Sequence, residues 1–136
     1  MDHDAAMQAF ADAPVARLST IGPAGPHLVP IVFALVDGAV CTAVDHKPKS
    51  TTNLRRLRNI RGDPRVSVLV DHYAPDWSQL WWVRLDGTAR IVEAGDPLGA
   101  GALEALTAKY EQYRAMPPNG PVIIVEPVRW AHWASR

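Results

Sequence analysis

The dipeptide Asp37-Gly38, set between two apolar runs, is the feature that most limits how this chain can fold. Asp-Gly between apolar segments is the strongest short-range signal for a two-residue β-hairpin turn, because both turn positions want positive φ. A second reversal stands just upstream, where Gly-Pro-Ala-Gly-Pro at 22–26 separates a strand at 15–21 from one at 27–36. Pro30 inside the latter implies an edge or a bulge, since proline cannot donate to a ladder. Further strands are expected at 39–45, at 66–72, at 79–93 with a bulge or turn at Asp86-Gly87, and at 122–133. Helices are expected at 3–12, ended by Pro14, at 49–61, ended by Gly62-Asp63-Pro64, and at 97–114 after the Asp96 cap and Pro97. The six or so strands do not alternate strictly with helices, which argues against a doubly wound parallel sheet. A mainly-β fold is expected: a small antiparallel barrel with peripheral helices.

A chain of 136 residues, 48% apolar, suits one folded domain spanning 1–136. It has no apolar run near the roughly 20 residues that cross a bilayer. The acidic start MDHDAAMQAF lacks the features of a signal peptide. A single cysteine, Cys41, excludes a disulfide framework and a multi-cysteine zinc site, and its apolar surroundings suit a buried thiol. The expected setting is cytoplasmic, without a membrane partner.

Charge is segregated. Residues 46–65 hold seven of the 14 basic residues (Lys47, Lys49, Arg55, Arg56, Arg58, Arg61 and Arg65) and only Asp63 of the 14 acidic ones. Because the chain is neutral overall, this is a local anion site rather than a generally basic surface, and general nucleic-acid binding is not expected. Ser50, Thr51 and Thr52 fall in the first turn of the expected helix, where unpaired N–H groups favour phosphate. Leu54, Leu57 and Ile60 form its apolar stripe, with Thr52, Arg55 and Asn59 opposite. The competing explanation is that these arginines are solvated or pair with Asp71, Asp76 or Asp86.

Trp77, Trp81 and Trp82 supply the second signal, since an indole face can stack on a planar heterocycle. Core or subunit packing explains them equally well. The five histidines lack metal-ligand spacing, so no metal is expected, and neither a Walker loop nor a Gly-x-Gly-x-x-Gly turn occurs. RNA binding on a small barrel is an alternative, though it usually needs a broader basic face. An anion pocket beside stacking aromatics suits a flavin-type cofactor, which would itself supply the redox chemistry.

Three blocks carry a family resemblance: ARLSTIGPAGPHLVPIVFALVDGAV, then K-P-K with RNIRGDPRVSVLVDHY, then DWSQLWWVRLDGTARI. Over about residues 14–92 the chain resembles the split β-barrel flavin and deazaflavin oxidoreductases related to pyridoxamine 5′-phosphate oxidase. The last block resembles the branch that uses coenzyme F420, a deazaflavin. The resemblance implies a Greek-key-like split barrel of the FMN-binding type, and a homodimer with cofactor sites at the subunit interface. It implies that Lys47, Lys49, Arg56, Arg58 and Asn59 contact the cofactor phosphate; the family's Asn-Leu can match Asn53-Leu54 or Asn59-Ile60, and Asp63-Pro64-Arg65 directly after favours the latter. It also implies that Pro30, Ile31, Val32, Ala43 and Val44 line the ring, with Trp77 and Trp81 closing over it. The implied activity is hydride transfer from reduced F420 to a small organic acceptor. The alternatives are an FMN-binding oxidoreductase and a cofactor-binding protein without catalysis.

Overall fold

The computed structural model describes residues 1–44 and 54–135. The expected strand end at Asp45, the residues Lys47, Lys49, Ser50, Thr51 and Thr52, and the expected helix over 49–53 lie outside them. Helix α1, His3–Asp12, is capped by the Asp2 carboxylate, which accepts from Ala5 N–H. Strands β1 (Ala16–Gly22), β2 (Gly25–Ile31), β3 (Ala34–Val36) and β4 (Ala39–Ala43) follow, then α2 (Arg55–Gly62). Next come β5 (Arg65–His72), a single 3-10 turn at Trp77–Gln79, and β6 (Trp81–Val92). Helices α3 (Pro97–Lys109) and α4 (Glu111–Ala115) precede β7 (Val122–Ala134). No described helix is long and apolar enough to cross a membrane.

Among the described residues seven strands, one more than the sequence suggests, form one antiparallel sheet in the order β2-β1-β5-β6-β7-β4-β3. The additional strand arises because the run at 27–36 breaks at Val32-Phe33, so the two sheet ends, β2 and β3, are consecutive in the chain. Ile31 of β2, Leu18 of β1, Val68 of β5, Leu85 of β6, Val125 of β7 and Val40 of β4 share one core, so the sheet curls around its inner side chains. Asp37 at φ 50° and Gly38 at φ 81° form the expected turn between β3 and β4. Pro30 sits on edge strand β2, where its missing N–H costs no ladder bond. Phe10 of α1 plugs the core edge-on against Phe33 and Trp130, at 5.2 and 5.0 Å between ring centroids.

Strand β4 is buried at every position, with Val40 facing the barrel core and Ala39, Cys41 and Ala43 packed under Ala102 and Leu106 of α3. Burial first, and the Glu126 charge second, push the Cys41 thiol up to about 11. The expected helix 97–114 is interrupted at Tyr110, whose extended backbone caps α3 and starts α4. At the expected irregularity in β6, Asp86 faces Arg129 and Gly87 faces Pro127, leaving Val128 as the extra residue of a bulge in β7. A Cβ at Gly87 would collide with the Glu126 carbonyl oxygen, so glycine is required at that crossing.

Candidate functional site

Where β2 ends beside β4 and the first turn of α2, a cavity of about 210 Å³ opens. Its walls are Val15, Pro30, Ile31, Val32, Thr42, Ala43 and Arg56. Five of these are residues that the resemblance implies: Pro30, Ile31, Val32, Ala43 and Arg56. The strand break at Val32 makes the recess, because the chain leaves the β2 ladder there before β3 begins. Thr42 Oγ1 donates to the Val32 carbonyl at 2.8 Å and pins that break to β4. Val44 follows Ala43 but belongs to the barrel core, and its N–H donates to Pro121 O at 3.0 Å.

Tyr110 holds both flanks of the cavity. Its hydroxyl accepts from Phe33 N–H at 3.1 Å and lies 2.9 Å from each of the Pro14 and Phe33 carbonyl oxygens. One phenolic proton must therefore serve two acceptors. Pro14 precedes Val15 and Phe33 follows Val32, so this one oxygen fixes the distance between two cavity walls. Lys109 Nζ reinforces it, donating to Ala13 O at 2.8 Å and lying 3.9 Å from the Phe33 ring centroid. Burial pushes the Lys109 ammonium down to about 8, against a smaller upward effect of Asp12, and burial also raises the Tyr110 hydroxyl.

The remaining expected site residues lie elsewhere. Arg58 and Asn59 line a second groove with Arg55, below the β1–β2 turn. The sequence pattern places Asn59 opposite the apolar stripe, yet it is only 4% exposed. Its Nδ2 donates to the buried Thr20 Oγ1 at 3.0 Å. Gly22 makes room for it, since a Cβ there would collide with Asn59 Oδ1. Trp77 is 77% exposed, and Trp81 stacks on His72 in a depression shared with Arg17 and Asp71. Neither indole lines the 210 Å³ cavity of its own chain. Lys47 and Lys49 lie outside the described residues.

The three carboxylates considered as partners for the basic segment have other engagements. Asp71 pairs with Arg17, Asp76 accepts from Ser78, and Asp86 takes Arg84, Arg129 and Ser67. Burial raises the Asp86 pKa, but the hydrogen bonds from Ser67, Arg129 and Arg84 outweigh it and hold the group below the usual carboxylate value.

Sequence reasoning missed Val15 and Thr42 as cavity residues and Tyr110 as the clamp on its flanks. Thr42 carries a faint signal, being the one polar side chain in the run Ala39–Ala43. Tyr110 carries none, because its partners lie 77 and 96 positions away.

The family model for pyridoxamine 5′-phosphate oxidase matches residues 3–134. The chain belongs to this family. No curated protein sequence matches it. Among solved structures, this pyridoxamine 5′-phosphate oxidase family member is similar to a conserved hypothetical protein of Mycobacterium tuberculosis. That match has a TM-score of 0.80 and 22% identity, and covers 100% of this chain and 86% of the other. A FAD-binding protein of Mesorhizobium loti matches with a TM-score of 0.73 and 16% identity, over 97% and 92% of the two chains. HutZ, the heme storage protein of Vibrio cholerae, matches with a TM-score of 0.75 and 14% identity, over 97% and 93%. At these identities the structures share the fold of the family, and their ligands differ.

Proposed function

We propose that this protein binds a flavin-type redox cofactor, coenzyme F420 foremost, and passes hydride from its reduced form to a small organic acceptor, as a cytoplasmic homodimer. The observation that carries this reading is the cavity in which Arg56 meets the apolar walls at Pro30, Ile31, Val32 and Ala43. That donor set fits the group: apolar edges suit a planar ring, and a guanidinium suits the anionic tail. Arg56, with Lys47 and Lys49, would hold the phosphate, while the wall residues and Val44 behind them would orient the ring. Once bound, the cofactor supplies the hydride transfer, and the protein positions it and excludes water.

Size supports the homodimer. Sites for ligands of this class usually enclose about 300–1,000 Å³, so 210 Å³ covers only part of such a molecule. A second copy would complete the enclosure, bringing an indole such as Trp77 or Trp81 over the ring. The FAD-binding structural neighbour supports a flavin in general, and FMN, held by the same residues, is the second reading. Fluorescence titration of the purified protein with F420 and with FMN tests both. Saturable F420 binding with FMN at least tenfold weaker supports the first reading, and the reverse order selects FMN. Saturable heme binding, with neither flavin bound, overturns both.

A further inference from the structure

Helix α2 carries four arginines and no acidic residue, and three of the four divide between two faces. Arg56 faces the cavity just described. Arg55, Arg58, Asn59 and Gly62 follow the i, i+3, i+4, i+7 spacing of a single face, which lies about 100° of helix rotation from Arg56. That face forms one side of a groove of about 650 Å³, within the size range of about 300–1,000 Å³ common for small-molecule sites. The other side is the β1–β2 turn with its flanks: Ile21, Pro23, Ala24, Pro26 and His27.

We infer that this groove is a second ligand site, distinct from the cofactor cavity, which takes a small organic molecule carrying two or more oxyanion groups. The charge balance favours an anion. The groove's single acidic lining residue, Asp63, is bound by its own neighbour: Arg65 donates to it from Nε at 3.0 Å and from Nη2 at 2.7 Å. The Arg65 hydrogen bonds hold the Asp63 pKa near 2, so this carboxylate stays an acceptor for Arg65.

Two guanidiniums three residues apart on one helix face present their forks side by side, a spacing that suits paired carboxylate or phosphate groups. His27, half-buried, is the one polar side chain that the turn and its flanks bring to the groove. A ring nitrogen there can hydrogen-bond a ligand hydroxyl or oxyanion. The apolar rim of Ile21, Pro23 and Pro26 would cover the carbon skeleton between the anionic groups. The helix is firmly seated, with Leu57 and Ile60 in the core and Asn59 bonded to Thr20, so the arginines need not be ordered by the ligand.

Calorimetric titration with citrate and with inorganic phosphate tests the inference. The unmodified protein should bind citrate saturably, and at least tenfold tighter than phosphate. The double variant Arg55→Ala/Arg58→Ala should weaken citrate at least tenfold, and His27→Leu at least threefold, with circular dichroism unchanged. Arg56→Ala should leave citrate affinity within twofold, which separates this site from the cofactor cavity even if neither flavin binds. The absence of saturable citrate binding overturns the proposal. So does an equal loss in Arg56→Ala, or a tenfold loss of F420 affinity in the double variant, which would make the groove the seat of the cofactor's own tail.

Discussion

Two places in this molecule bring arginine against a break in the sheet, and the described residues around them differ in kind. At the β6–β7 bulge, Arg84 and Arg129 converge on Asp86, which also accepts from Ser67, so the ions close on one another within the chain. At the break between β2 and β3, Arg56 meets apolar walls and Thr42, and no acidic side chain lines the cavity among the described residues. A carboxylate ringed by its own donors serves the fold. A guanidinium set in an apolar recess is suited to an anion that arrives from outside.

That contrast can be broken by substitution. The largest effect should come from Leu57→Ala, which removes a fully buried side chain seating α2 on the barrel. A loss of about 2–5 kcal/mol in chemical denaturation is expected, since a cavity remains where the side chain was. A loss below about 1 kcal/mol would mean that α2 is not anchored through the core. Tyr110→Phe should cost about 1–3 kcal/mol, because the Phe33 N–H loses its acceptor. It should also loosen the walls at Val15 and Val32 and weaken cofactor binding, and full affinity would separate the clamp from the cavity.

Arg56→Ala and Lys49→Ala sharpen the comparison most directly. Each should weaken cofactor binding by about 1.5–3 kcal/mol, the usual worth of a charged hydrogen bond. Asp86→Asn should instead cost about 1 kcal/mol of stability with cofactor affinity intact. The pH dependence follows from the lowered Asp86 pKa. The stabilisation is fully present above about pH 4, where the unfolded carboxylate is ionised, and is lost as pH falls through the lower folded value. The stability curves of the two proteins should therefore converge in acid; parallel curves would remove Asp86 from the account.

Local chemistry was readable in the sequence, and distant partnership was not. Asp37-Gly38 made its turn, Asp86-Gly87 marked its bulge, and Pro30 found an edge, because each depends on dihedral preference or on a missing donor. The recess at Val32-Phe33 was hidden within an unbroken apolar run, since both sides of the break are apolar. Asn59 was misplaced for a related reason. A helical-wheel argument treats amide side chains as outward-facing, and cannot foresee that Thr20 and side-chain-free Gly22 prepare a polar niche for one. Five cavity residues came through the resemblance rather than through periodicity, and the clamp at Tyr110 needed the folded chain.

The lone cysteine has a practical consequence. Cys41 lies under α3 with its thiol raised to about 11, so the native chain should be nearly silent toward maleimides at neutral pH. A replacement such as Ala24→Cys, on the rim of the arginine groove, would then be the one attachment point for a fluorophore, and its emission would report occupancy of that groove in real time.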